Sequence, residues 1–427
     1  LSARDGAAAE LLTFGCRLNL YESEVMRGHA AALRDTVIVN TCAVTAAAER
    51  DARQAIAKLR RTRPDARIVV TGCAAQRDPG AWAALPGVAR VLGNAEKLRP
   101  ESWAADATET AVSDIMTART ADPQPISAFA GHARAFLQVQ QGCDHRCTFC
   151  VIPYGRGPSR SVPAAVAVAQ ARALVASGHR EIVLTGVDIA SWGSDLPGRP
   201  PLGDLCRRIL TLVPELGRLR LSSIDPAAID ETLWKLLADE PRLAPYLHLS
   251  LQAGCDLILK RMKRRHDVAQ VRAVVARARA ARPDIGLGAD VIAGFPTETE
   301  AQAQATCDLL DELGVAFLHV FPYSERPGTP AARMPGVPMP ERRVRAAALR
   351  SLGATLRYRY LAGLVGREAD VLLESEAFGH SEQFAPVRLI DPVPEGRGSI
   401  RRVRLKSVAD APGRKKVDGA VLLAEIA

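Results

Sequence analysis

No stretch of the 427 residues approaches the roughly 18 uninterrupted apolar positions of a membrane-spanning helix. The N-terminal LSARDGAAAELLTFGC also lacks the long apolar core of a secretory signal, so no membrane association is expected and the cytosol is the expected compartment. The eight histidines form no HxxH or HExxH pattern, which removes the common helical zinc signatures. With 48% hydrophobic and 24% charged residues, disordered and collagen-like chains are excluded, and the length allows two or three domains. Nine cysteines are an odd number, poorly explained as a disulfide framework in a reducing compartment. The most telling absence is a fourth ligand. In QQGCDHRCTFCVIP, Cys143, Cys147 and Cys150 stand with three and two residues between them, whereas a tetrahedral zinc site or an ordinary iron–sulfur cluster takes four protein ligands.

What is present begins with a phrase used three times: ELLTFGC, TVIVNTC and RIVVTGC. Each is a leucine-rich or β-branched run too short for a helix, and an Ala/Arg-rich helical stretch follows, which is the βαβ pattern of a parallel sheet. Cys16, Cys42 and Cys73 therefore close three strands about one βα unit apart, and their thiols are expected at one carboxyl edge, where open α/β sheets bind ligands. A lone cysteine at a strand end is ordinarily just a small buried residue. Three in register point to metal or cluster ligation, again without a fourth.

From about residue 134 the alternation resumes in AFLQVQQGC, EIVLTGVDI, RLRLSSID, YLHLSLQAG, IGLGADVIAGFP and AFLHVFPYS. Six such repeats predict an open, partial βα barrel with its functional residues on loops after the strands, and the Cys143 triad occupies the first of those loops. A helix from about Glu341 to Ala362 follows. The last sixty residues alternate as short strands, EADVLLES, HSEQFAPVRLI, SIRRVRLKSV and VDGAVLLAEI, expected to form a small antiparallel β-barrel. Between Arg397 and Lys416 this segment carries eight basic residues against Asp410 alone. Such a run is either a solvated face or a phosphate-binding one, and the net charge of +9 favours an anionic partner unless it reflects a general arginine bias.

A four-iron cubane takes one external ligand per iron, so three thiolates leave one iron open. For Cys143, Cys147 and Cys150 the amino and carboxylate groups of S-adenosylmethionine would fill it, the cofactor carrying the hard chemistry. Zinc competes, but a zinc loop would pair its CxxC with a second pair or with histidines, and only His145 lies nearby.

CDHRCTFCVIPYGRGPSRS resembles the radical S-adenosylmethionine signature of the methylthiotransferase family, and FGCRLN, NTCAVT and TGCAAQ are similar to that family's other three-cysteine domain. LTGVDI, LSLQAGCD, DVIAGFPTE and FPYSERPGTPA match further blocks in order, so the resemblance covers nearly the whole chain. It implies an N-terminal methylthiotransferase domain over 1–125, a radical S-adenosylmethionine core over 134–362 and a TRAM-like RNA-binding barrel over 365–427. TFGCRLN with ESEVMR, and PYGRGPSRS with VQQGCDHRCTFC, look most like the branch acting on N6-threonylcarbamoyladenosine at position 37 of tRNA. Sibling branches act on isopentenyladenosine in tRNA or on a ribosomal protein aspartate. A non-enzymatic iron–sulfur RNA-binding protein is a further reading.

The resemblance implies two 4Fe-4S clusters and S-adenosylmethionine. Cys143, Cys147 and Cys150 would hold the radical-generating cluster, and Cys16, Cys42 and Cys73 an auxiliary one carrying the sulfur to be inserted. Expected partners are the tRNA anticodon loop, an electron donor such as a flavodoxin or ferredoxin, and a sulfur donor. Gly186, Gln252 and Asp290, placed at or near strand ends, are candidates for the S-adenosylmethionine pocket, although turns or core edges explain them equally. Arg156 and Arg160 are read as contacts to substrate or cofactor anions, or as surface arginines. Arg401, Arg402 and Arg404 are read as nucleic-acid contacts. Cys206 and Cys307 are expected to be buried, and Cys255 has no ligand spacing. The segment between Cys16 and Cys42 leaves little room for the family's usual second strand.

Overall fold

The protein is described by a computed structural model covering residues 8–104, 107, 110–121, 124, 126, 129, 131–410 and 419–427. Its first sheet is wholly parallel, with β1 (Glu10–Thr13), β2 (Thr36–Thr41), β3 (Arg67–Gly72) and β4 (Val88–Val91) in sequential order. β1 pairs directly with β2, so the short segment between Cys16 and Cys42 holds one helix and no additional strand. All six residues of β2 are buried, as a central parallel strand covered on both faces requires. The helix Ala46–Thr62 starts where the Thr45 side chain accepts from the Ala48 N–H, and it lays Ala52, Ile56 and Leu59 onto Val37, Val39, Ile68 and Val70.

The helix Arg17–His29 faces two ways. Met26 packs on the far side of the first sheet with Ile38 and Val69. Tyr21 and Val25 instead join Phe129 and Phe136 in the core of the next unit. This helix therefore fixes the first sheet against the barrel.

The barrel strands are β5 (Ala135–Gln138), β6 (Gln140–Gln141), β7 (Arg160–Ser161), β8 (Glu181–Thr185), β9 (Arg218–Leu221), β10 (Ser223–Ile224), β11 (Tyr246–Gln252), β12 (Gly286–Ala293) and β13 (Phe317–Pro322). They make a parallel β5-β8-β9 sheet and a parallel β10-β11-β12-β13 sheet, joined near Ser222 and by a bridge between Leu219 and Leu243. The six expected repeats are present. The first is divided, because β6 leaves β5 to pair antiparallel with β7, which brings the chain beyond the cysteine loop back onto the strand before it.

The helix Met339–Ala362 leads into β14 (Glu368–Leu373), β15 (Phe378–His380), β16 (Pro386–Leu389), β17 (Ile400–Asp410) and β18 (Ala420–Ile426), closed in the order β14-β15-β16-β18-β17. The barrel differs from the expected one in two ways: HSEQFAPVRLI is broken by a turn into β15 and β16, and β16 pairs with β18 in parallel. Alternation in β17 buries Val403 and Leu405 and exposes Arg402 and Arg404. No helix among the described residues is long and apolar enough to cross a membrane.

Candidate active site

The three N-terminal cysteines come together at the carboxyl edge of the first sheet. Register aligns Thr13 with Asn40 and Thr41 with Gly72, so the residues just beyond each strand emerge side by side. The two FGC and TGC glycines make the turn. Gly15 and Gly72 have φ of +94° and +98°, and a Cβ on Gly15 would lie 2.5 Å from Cys42 Sγ. Cys16 then caps the helix Arg17–His29, and Cys73 opens the helix Cys73–Arg77. All nine cysteines are free. Burial pushes the Cys42 thiol up to about 12, and its thiol neighbours Cys73 and Cys16 add to the rise.

Cys73 has an unusual partner. Arg156 Nε donates to its Sγ at 3.0 Å, while the same buried guanidinium pairs with Glu22 and donates to Asn19 Oδ1. Lys97 Nζ pairs with Glu22 at 2.6 Å, both side chains fully buried. Two buried cations thus share one carboxylate, leaving a positive charge that an anionic centre at the N-terminal triad would balance. Arg156 and Arg160 are not surface residues: Arg160 is buried and donates to the carbonyls of Pro158 and Arg156.

Burial alone would raise the Glu22 carboxyl, but the Arg156 and Lys97 charges outweigh it and hold it at about 2, against an ordinary 4.5. Because the folded value is the lower one, the pairing stabilises the fold fully above the unfolded value and is lost as pH falls toward 2. The stability difference between the wild type and Glu22→Gln is expected to be largest at pH 7 and to shrink from about pH 4.5 toward 2. Chemical denaturation followed by tryptophan fluorescence across that range checks it, and a difference constant with pH refutes it.

The second triad lies on the loop between β6 and the helix Ile152–Arg156, and backbone contacts pin that loop. Cys143 N–H donates to Gly157 O (3.0 Å), Thr148 N–H to Met262 O (3.1 Å), Thr148 Oγ1 to Arg261 O (2.8 Å), and Ala331 N–H to Thr148 O (2.9 Å). Burial raises Cys143 to about 12 and Cys150 to about 11. Arg264 Nη1 lies 3.4 Å from Cys147 Sγ, and its Nη2 donates to Asp225 and to Ser250 O. His145 Nε2 is 2.9 Å from the Asp188 carboxylate. Sequence reading missed Glu22, Lys97, Asp225 and Arg264. Of these, Glu22 alone left a trace, lying with Asn19 three residues apart on the helix that Cys16 caps.

The two triads are neighbours. The helix Ile152–Arg156 packs against Cys73–Arg77, so closely that a Cβ on Gly155 would sit 3.3 Å from the Cys73 Cβ, and Val151 belongs to the core of the first sheet. A cavity of about 550 Å³ opens beside this seam, lined by Gln76, Arg77, Val151, Tyr154, Pro327 and Thr329 among others. In neither triad do all three sulfurs lie within 4.8 Å of one another among the described residues, whereas zinc would draw them to about 3.8 Å. A cubane, taking one thiolate per iron, needs the wider spacing. High thiol values mean that a metal must displace protons on binding. The donor set, three free thiols in each triad, fits an iron–sulfur cluster with one open iron.

The remaining expected residues are dispersed. Gly186 follows β8, where a Cβ would meet Gln140 O at 2.8 Å, and the Val187 and Asp188 N–H groups donate to Gln140 Oε1. Gln252 closes β11 with φ of +73°. Asp290 is not at a strand end but in the middle of β12, held by His248, His319 and Ser223. Cys206 is fully buried in the helix Leu202–Leu212, whereas Cys307 is only partly buried, since its helix Glu300–Glu312 turns Thr306, Leu309 and Leu310 inward instead. Cys255 is partly exposed ahead of Asp256–Arg261. On the terminal barrel, Arg402 pairs with Glu368 and Asp370, Arg404 with Glu368, and Lys406 with Glu425. Arg401 donates to Ser399 Oγ. Arg414, Lys415 and Lys416 lie outside the described residues.

Comparison with known proteins places this geometry. The model of the radical SAM superfamily matches residues 137–310, and that of uncharacterized protein family UPF0004 matches residues 9–93. The threonylcarbamoyladenosine tRNA methylthiotransferase MtaB of Rickettsia prowazekii is 48% identical, over 90% of this chain and 92% of its own. MtaB of Thermotoga maritima is 33% identical over 93% and 94%. A tRNA-2-methylthio-N(6)-dimethylallyladenosine synthase of Cereibacter sphaeroides is 37% identical over 92% and 94%. In fold, the chain is similar to the radical S-adenosylmethionine methyltransferase TsrM of Kitasatospora setae, with a TM-score of 0.53 at 18% identity, covering 73% of this chain and 68% of that one.

Proposed function

Because the chain belongs to the radical S-adenosylmethionine methylthiotransferase family, we propose that it adds a methylthio group to C2 of N6-threonylcarbamoyladenosine at position 37 of tRNA. The observation that carries the reading is the seam of two cysteine triads, in which Arg156, six residues beyond Cys150, donates to Cys73 of the other triad. Identity over nearly the full length to relatives named for that substrate supports the choice of base. Residues 1–125, 134–362 and 365–427 divide the work as auxiliary, radical and RNA-binding units in the cytoplasm, with an external electron donor and sulfur donor.

Cys143, Cys147 and Cys150 would hold one 4Fe-4S cluster and Cys16, Cys42 and Cys73 the other. When bound, the clusters and S-adenosylmethionine supply the one-electron chemistry that an unactivated C–H bond requires. The protein's part is positional. Backbone hydrogen bonds hold the Thr148 loop, Arg264 and Arg156 offer guanidinium N–H groups to Cys147 and Cys73, and Val151 packs the cysteine loop into the core of the first sheet. Gly186, Gln252 and Asp290 are assigned to the S-adenosylmethionine side of the barrel.

Nucleoside mass spectrometry of tRNA from cells with and without the gene tests the reading. Loss of 2-methylthio-N6-threonylcarbamoyladenosine is the expected result. Loss of the dimethylallyl product, or of neither nucleoside, refutes it.

The terminal barrel is assigned to the tRNA backbone through Arg401, Arg402 and Arg404. Exposed ion pairs such as those of Arg402 and Arg404 hold little free energy, so phosphates can displace their carboxylates. Replacing the three arginines by Ala is expected to weaken cognate and non-cognate tRNA alike. The slope of log affinity against log salt should flatten by up to roughly 0.7 to 0.9 for each phosphate that is no longer neutralised. Fluorescence anisotropy over a salt series reads it, and an unchanged slope removes the assignment.

A further inference from the structure

Three arginines of the open barrel are committed to one carboxylate. Arg134, Arg218 and Arg220 converge on the buried Glu181 at 3.2, 2.9 and 2.8 Å. Arg134 also reaches Glu374, Arg218 donates to the Asp370 carbonyl, and Arg220 donates to those of Ser381 and Glu382. Arg17 is different. It opens the helix Arg17–His29, which packs into the barrel core, and is half-buried with no hydrogen bond or salt bridge among the described residues. Burial lowers its affinity for a proton, and Tyr246, Arg134, Asp290 and Glu181 of the open barrel act on it electrostatically.

On the barrel strands runs a hydrogen-bonded chain of a tyrosine, two histidines and a carboxylate. Tyr246 Oη is 2.9 Å from His248 Nδ1, His248 Nε2 is 3.1 Å from Asp290 Oδ1, and His319 Nδ1 is 3.2 Å from that same oxygen. Gly288 leaves room for the pair, since a Cβ there would lie 2.4 Å from both Tyr246 Oη and His248 Nδ1. The ligand atoms of His248, Asp290 and His319 all lie within 4.8 Å of one another, near enough to hold a cation. However, the Asp290 oxygen is already shared by both rings, and the charge left uncommitted beside it is positive. The lumen is built for an anion.

We propose that Arg17 binds the carboxylate of the threonyl arm of the substrate base and so determines which modified adenosine is accepted. The inference rests on the tRNA reading above and deepens it. An N6-threonylcarbamoyl arm carries a carboxylate, a hydroxyl and a urea, whereas the dimethylallyl arm named in other relatives is a hydrocarbon. A guanidinium left unpaired in a recess is desolvated at a cost by a hydrocarbon and is compensated by a carboxylate, which discriminates between the two. The exposed edge of His319 faces the hydroxyl and urea. Arg17 directly follows Cys16, so an arm held there keeps the base against the N-terminal triad.

The test uses the reconstituted full chain with two anticodon stem-loops, one carrying N6-threonylcarbamoyladenosine and one its threonine methyl ester, a neutral analogue. The wild type is expected to prefer the acid by about 10- to 100-fold in kcat/KM and in equilibrium binding. Arg17→Gln should abolish the preference and Arg17→Lys restore part of it, with iron content and the KM for S-adenosylmethionine unchanged. A retained preference in Arg17→Gln overturns the arm assignment alone. So does a fall in iron content or in S-adenosylmethionine affinity with the preference intact, which places the guanidinium on a cofactor anion. A wild type that methylthiolates neither stem-loop overturns the substrate reading itself, and the arm assignment with it.

Discussion

Simultaneous replacement of Cys143, Cys147 and Cys150 by Ala is expected to abolish methylthio transfer and reductive cleavage of S-adenosylmethionine together, and to lower iron from about eight to about four per chain. The fold should survive. The loop is held by Cys143 N–H on Gly157 O and by Thr148 between Met262, Arg261 and Ala331, and no thiol takes part in those bonds. The matching replacement of Cys16, Cys42 and Cys73 should also leave about four irons, but with 5′-deoxyadenosine still formed and no methylthiolated nucleoside. Iron analysis and product chromatography on anaerobically reconstituted protein separate the two variants. A Cys143/Cys147/Cys150 variant that keeps about eight irons would take that triad out of the cluster assignment.

That contrast was legible in the sequence because strand periodicity fixes position along the chain. Three strands ending in cysteine must deliver their thiols to one edge when the sheet is parallel, and the register of β1, β2 and β3 does so. The loop cysteines follow the first barrel strand for the same reason. Periodicity carries no information on how two such units face each other. The packing of Arg17–His29 onto the barrel, which puts Tyr21 beside Phe129, depends on which side of an amphipathic helix meets which sheet. Arg156 therefore reads only as an anion contact or a surface arginine and Glu22 draws no reading, though they meet across 134 residues. Likewise the basic run at Arg401 to Lys406 looked unopposed because its carboxylates, Glu368, Asp370 and Glu425, come from neighbouring strands.

The bond from Arg156 to Cys73 leads to the second large effect. With Arg156 present, two buried cations face one carboxylate, and an anionic centre at the triad of Cys73 would neutralise the excess. Arg156→Met leaves Glu22 and Lys97 as a neutral buried pair at 2.6 Å, so the fold keeps a balanced core while Cys73 loses the only guanidinium donating to it among the described residues. The variant is expected to fold and to hold iron at the Cys143 triad, but to retain iron at the N-terminal triad about 10- to 100-fold less tightly, the usual cost of removing a group that orients a metal ligand. Glu22→Gln does the reverse. It leaves Lys97 and Arg156 buried without a carboxylate, at a cost of about 3 to 5 kcal/mol in folding, while the Arg156 N–H to sulfur remains. Chelator titration of iron and denaturant unfolding, run on both variants, distinguish the roles. If Arg156→Met releases no iron more readily than the wild type, the guanidinium serves packing of the seam alone and the charge argument for an anionic centre at Cys73 fails.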